Sequence, residues 1–424
     1  MASLATLVAL FYIEEDVRGK WAWEKYQQQQ EAKGEKFDLV SLAPPAIPDE
    51  KNFAMAPMWK AMFEYHLGEH RKFQTNSSWS SGPTLSIDSM DLGTWPNLGD
   101  WLKGERINLA AWQDYYRGTN RPATNALSNA SVINTTESIH FPTPDHPGTP
   151  AADVLFALSP FDKELKDLQA AARRPGARFP IHYEDGYFAH PAHIVVMQPL
   201  ANFLVLHAAA ELEPGNKDAA DEDVRLEFKL IQSFQGEPLG ISQLVRIGIT
   251  RILLHSVWDG LVTHRWSDAE LAAWQEDLEE IDLLQDYQRA MKGEIAFCCQ
   301  YYDDARRDRN SSLFQTYPEV SPEGETDIPK SVWWPRVWPH LLPSGWIYQA
   351  QILYCRSIDE SLLLCVDPTA HVVSPDGDRL HLELFRKEGQ QSITVRWLGL
   401  AGTLDSQLRA VQKVAQAQCL IDLV

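Results

Sequence analysis

Two histidines one helical turn apart with a glutamate beside them are a signature of metal-assisted hydrolysis, and His66-Leu-Gly-Glu-His70 has that form. In the inverzincin arrangement the two imidazoles hold zinc and the glutamate activates a bound water. On a helix, His66 and His70 share a face with Glu69 alongside. Catalytic zinc takes a third protein ligand from elsewhere, and candidates such as Glu137 and Asp145 fall in loop-like sequence. Gly68 also weakens such a helix by about 1 kcal/mol relative to alanine. The same residues equally describe an exposed polar helix end with two surface histidines.

A second constellation is Asp303-Asp304-Ala-Arg-Arg-Asp308. Clustered aspartates at a helix end resemble the Mg²⁺–diphosphate motif of class I isoprenoid synthases, because carboxylates suit hard cations. Those enzymes need a second metal motif on a later helix, and none is visible in the remaining sequence. Arg306, Arg307 and Arg309 offer the plainer alternative of a solvated, salt-bridged helix end. The third is Arg251, His255 and Asp259, four residues apart within an otherwise apolar run. Stacked on one helical face, they form a buried network that either orients a ligand or satisfies its own members.

Other chemistries find less support. His190-Pro-Ala-His193 lacks the one-turn spacing of a helical metal pair. No serine-nucleophile elbow, phosphate-binding loop or dinucleotide fingerprint is present. Five cysteines without a C-x-x-C pair read as small core residues. A formal charge of −20 repels phosphate backbones and argues against nucleic-acid binding.

The elements that must position these residues are mainly helical. Fifteen tryptophans require a sizeable core or interface. Ala2 to Ile13 is nearly all apolar, too short to span a bilayer, and runs abruptly into Glu14, Glu15 and Asp16. It reads as a truncated membrane anchor, or simply as the apolar start of a docked helix, leading into a polar helix over 1–30. Residues 31–150 read as an irregular, Pro- and Ser-rich region with short helices, one of them capped by Asn108. The proline run ending at Pro150 marks a domain boundary.

Residues 151–310 form a helical core. Ala192–Leu212 and Asp218–Phe234, joined by a Pro-Gly-Asn turn, have the spacing of a tetratricopeptide-like hairpin, so the fold class is a mainly α helical array. Leu239–Val262 is a central buried helix. Ser267 with Glu270 is a capping box opening a long helix to about Asp304. Residues 311–424 contain a Trp- and Pro-rich segment, a helix over Gly345–Val366, a small β-hairpin within 371–399 and a C-terminal apolar helix.

Several stretches resemble an uncharacterised protein group of Verrucomicrobia and Planctomycetes. They are Ala32-Lys-Gly-Glu-Lys-Phe-Asp, Pro44-Pro-Ala-Ile-Pro-Asp-Glu-Lys-Asn-Phe-Ala, Leu109-Ala-Ala-Trp-Gln-Asp-Tyr-Tyr, Ser242-Gln-Leu-Val-Arg-Ile-Gly-Ile and Val257-Trp-Asp-Gly-Leu. The resemblance implies a single N-terminal membrane anchor, a helical body and continuation past the equivalent of Val424. It supplies no catalytic residue. The expectation is therefore an envelope-associated binding or scaffold protein with a protein or peptide partner. The alternatives are a cytoplasmic location, a zinc hydrolase built on His66, Glu69 and His70, and a Mg²⁺-dependent lyase or synthase built on the Asp303 cluster.

Overall fold

The computed structural model describes residues 2–63, 65–67, 73–75, 96–118, 141–309 and 338–374. Helix α1 (Ala2–Glu31) carries the apolar start and the polar stretch after it as one rod. Its second part buries Glu15, Gly19, Trp23, Tyr26 and Gln30, a stripe at helical spacing. Ser3 to Phe11 are exposed on every side.

The region after α1 is built from short pieces. Helices α2 (Leu39–Leu42) and α3 (Pro57–Lys60) are single turns. Strands β1 (Tyr65–Leu67) and β2 (Phe73–Thr75) pair antiparallel, with His66 opposite Gln74. Helix α4 (Leu109–Tyr116) starts as expected at Asn108, whose side chain accepts from the Ala111 amide at 3.1 Å.

Helix α5 (Pro150–Leu158) begins at the end of the proline run, with Thr149 as N-cap and Pro150 in the first turn. Proline suits that position because its missing N–H is an orphan donor there anyway. Helix α6 (Asp162–Ala172) follows. The expected boundary at 150/151 is bridged: Arg117 and Gln113 of α4 both reach Asp153 of α5. One contiguous apolar core runs from Trp23 through Leu204 to Val366.

The centre is α7 (Ile194–Leu212), α8 (Lys217–Ser233) and α9 (Gly240–Val262). Gly215 turns the chain between α7 and α8 at φ 95°, a left-handed conformation that glycine adopts without penalty. Helix α7 packs on both α8 and α9, and α8 packs on α9 as well. The hairpin is thus one side of a three-helix cluster. Among the described residues α7 is long and apolar enough to cross a membrane, and it is largely buried in this cluster.

The helix expected to run unbroken from Ser267 is two helices, α10 (Asp268–Glu279) and α11 (Leu283–Arg307). The Ser267–Glu270 capping box forms as expected. The break comes from Ile281, which turns into the core, and Asp282, which caps α11 by accepting from the Gln285 amide at 2.8 Å. Helix α12 (Ser344–Ser357) crosses α1 where Gly19 meets Gly345. A Cβ on Gly345 would collide with the Glu15 carbonyl. Strands β3 (Val366–Asp367) and β4 (Val372–Val373) then pair antiparallel. The helix expected over Gly345–Val366 thus ends early, at Ser357, and the strands expected within 371–399 beyond residue 374, with the C-terminal helix, lie outside the described residues. The fold is mainly α.

Candidate functional site

A cleft of about 340 Å³ opens over the outer face of α8, walled by α6 on one side and by α10 with Glu280 and Ile281 on the other. Helix α8 supplies it with Glu222, Arg225, Leu226, Lys229 and Gln232, residues at helical spacing that share one face. Its volume lies at the low end of the range for small-ligand sites.

Most charges in the cleft are matched. Arg173 lies 3.6 Å from Glu222, and Arg225 pairs with Asp221 at 2.8 Å. Arg246 reaches up from α9, almost fully buried, and donates through Nη1 to Asp286 of α11. Its Nε is buried without an acceptor.

Lys229 is different. It is nearly buried, and its ammonium donates to the Gln232 Oε1 at 2.6 Å and the Pro175 carbonyl at 3.2 Å, both neutral. Burial lowers its pKa. On the α10 side, burial followed by the neighbouring Glu280 charge raises the Asp277 carboxyl.

Beneath the cleft lies a buried carboxylate–imidazole network. Gln169 donates from the cleft wall to Asp223 at 3.2 Å, and Asp223 holds His207 of α7 at 2.6 Å. Burial pulls His207 down, but the Asp223 charge and hydrogen bond, with Glu211 behind them, leave it raised. One turn further along α8, Glu227 is wholly buried and accepts from Ser256 of α9 at 3.1 Å. Burial drives its pKa well up. The network ties α7, α8 and α9 together through buried side chains. The partners of His207 here are carboxylates, which gives it no nucleophile to activate.

A second buried pair joins His193 to Glu237 at 3.2 Å, with the imidazole stacked on Phe179 at 4.0 Å. Burial and then the Glu237 charge push the Tyr183 phenol up. Neither this pair nor the His207 network was visible in sequence, because their members lie far apart along the chain. A signal for the latter exists in retrospect: Asp223 and Glu227 sit four apart among Val224, Leu226 and Leu230, a charged pair facing an apolar core.

The residues singled out from sequence fare differently. His66 lies in strand β1, where residues four apart do not stack, and Glu69 and His70 lie outside the described residues. Among the described residues no group of three histidines, cysteines or carboxylates is placed to hold a metal ion. Asp303 pairs with Arg306, and Asp304 lies 4.0 Å from Arg307. Arg306 also covers the Tyr348 ring and bonds Gln351 of α12 at 2.6 Å. Asp308 is the residue that ends α11. These contacts match the salt-bridged helix end.

The stripe on α9 is only partly brought together. Arg251 points to Asp100 at 3.7 Å and is more than half exposed. His255 lies 3.8 Å from Asp259, and both are buried. Burial takes His255 down to about 4 and Asp259 up to about 6, a shift of each towards its neutral form. Arg106, which sequence reasoning did not associate with the stripe, stands 3.8 Å from Asp259.

No protein-family model, curated protein or solved structure matches this chain.

Proposed function

We propose that this chain is a helical binding protein of the bacterial envelope, and that the cleft over α8 takes a peptide or small polar partner. The observation carrying the reading is the convergence of charged side chains of both signs, from three helices, into one opening of ligand size.

A thermal-shift survey of amino acids and short peptides tests it. Ligands that bind the folded state raise Tm by mass action. That rise is expected to vanish in Gln232→Trp, which fills the cleft. A survey in which no compound shifts Tm, or in which the variant responds like the parent, sinks the idea.

The envelope location rests on a separate feature. Leu4, Leu7, Val8, Leu10 and Phe11 are exposed around the whole circumference of α1. Twelve residues of helix reach about 18 Å, enough to enter one half of a hydrocarbon layer about 30 Å thick. Flotation with phosphatidylcholine vesicles is expected to carry the protein upward, and Leu7→Glu with Leu10→Glu to leave it at the bottom. Equal recovery of parent and variant would remove the support.

A further inference from the structure

Two sets of groups in the cleft are held by no direct salt bridge among the described residues, and they have opposite sign. On the α8 wall, Lys229 is nearly buried, and its partners are a carbonyl and an amide oxygen. A buried ammonium held only by neutral oxygens is costly, and an incoming anion relieves that cost. Below it, Arg246 brings a second cation to the floor, with Asp286 on Nη1 and no acceptor at the buried Nε. Across the opening stand Asp277 and Glu280; Arg225, already paired with Asp221, is the cation near Asp277, and no salt bridge holds either acid among the described residues.

A ligand with a single sign of charge suits half of this site. A free phosphate would find Lys229 and Arg246 but would leave Asp277 and Glu280 facing it, since Arg173 and Arg225 are already engaged by Glu222 and Asp221. A divalent cation would find the acids but would face the buried ammonium. We infer that the cleft binds a zwitterion: an α-amino acid or dipeptide with a basic side chain, its carboxylate at Lys229 and its cationic end at Asp277 and Glu280. The volume of about 340 Å³ accommodates a molecule of that size. This assignment rests on the proposed binding function and specifies its ligand.

Isothermal titration of the full chain with L-arginine and glycyl-arginine tests it, with agmatine as the cation-only probe and butyrate as the anion-only probe. Both zwitterions are expected to bind, with agmatine and butyrate each at least about tenfold weaker. Lys229→Met is expected to weaken arginine about tenfold and leave agmatine unchanged. Asp277→Asn with Glu280→Gln is expected to weaken both arginine and agmatine and spare butyrate. Circular dichroism melts of each variant confirm that the fold persists; replacing the buried lysine by methionine removes a desolvation cost and should not lower Tm. Agmatine or butyrate matching arginine would overturn the zwitterion assignment and leave the binding reading intact. An intact Lys229→Met protein with unchanged arginine affinity would do the same. Silence from all four probes up to about 10 mM would overturn the zwitterion assignment, while the peptide survey above still decides the binding reading.

Discussion

Helix α9 and the first half of α1 have the same kind of sequence, with apolar residues spread round the axis, yet they meet opposite surroundings. In α9 and its neighbour α7 the protein itself covers most of the circumference: Leu204, Leu206 and Leu253 are wholly inaccessible. In α1, Leu4 is 65 % and Leu7 64 % exposed. All-round apolarity therefore states that a helix needs cover on every side. It does not state what the cover is.

The difference predicts unequal costs for identical truncations. Leu204→Ala is expected to cost about 2–5 kcal/mol, the range for a buried leucine whose cavity cannot close. Leu7→Ala should stay within about 0.5 kcal/mol in the protein free of lipid. Urea denaturation of both variants decides it, and comparable losses would mean that the α1 tip is covered after all.

Polar intruders sharpen the contrast. Asp259 has a folded pKa of about 6 against 3.8 in the open chain, so the folded state holds its proton more tightly. Its stability cost is absent below about pH 4, grows as pH rises towards 6, and is constant above. Asp259→Asn is thus expected to stabilise by up to about 3 kcal/mol above pH 6 and by nothing below pH 4. Unfolding curves across that range that run parallel for parent and variant would place Asp259 in a solvated setting.

The mount of α1 should yield separately from the body. Gly345→Ala forces α12 away from the Glu15 carbonyl, an overpacking cost of about 1–3 kcal/mol. Limited proteolysis is expected to release α1 while the Tm of the remainder changes little. Simultaneous loss of both would show that α1 and the three-helix cluster are one cooperative unit. The smallest effect is expected at the end of α11. Asp303→Asn with Asp304→Asn removes one partly exposed pair and one long pair, while Arg306 keeps Gln351 and the Tyr348 ring, so stability should shift by less than about 1 kcal/mol.

Local signals were readable in the sequence where a few adjacent residues decide the outcome. Asn108 and the Ser267–Glu270 box act within one turn, and both caps form. The separation of α10 from α11 was not readable, because neither proline nor glycine marks it. It follows from Ile281 entering a core assembled by distant segments. The start of α5 was hidden for the opposite reason, since Pro150 reads as the end of a loop although it also suits a first helical turn. Of the cleft, nothing was found by spacing: Arg251, His255 and Asp259 lie elsewhere on α9, and Lys229 looked like one more lysine on a polar helix face. Only the packing of α6 and α10 reveals that this lysine is walled in without a carboxylate.

The meeting of Gly19 with Gly345 has a mechanical consequence. Backbones touching at glycine cross without an intervening side chain, so the joint behaves as a clamp and not as a hinge of soft contacts. Helix α1 is 30 residues, about 45 Å of stiff rod. A rod clamped near its middle transmits torque: whatever grips its tip fixes the tilt and the standoff of the whole body, and with them the direction in which the α8 cleft opens. Lengthening the tip by one residue would turn the body by about 100° relative to that grip, whereas four residues, slightly more than a turn, would bring it back to within about 40° of its heading and mainly raise it.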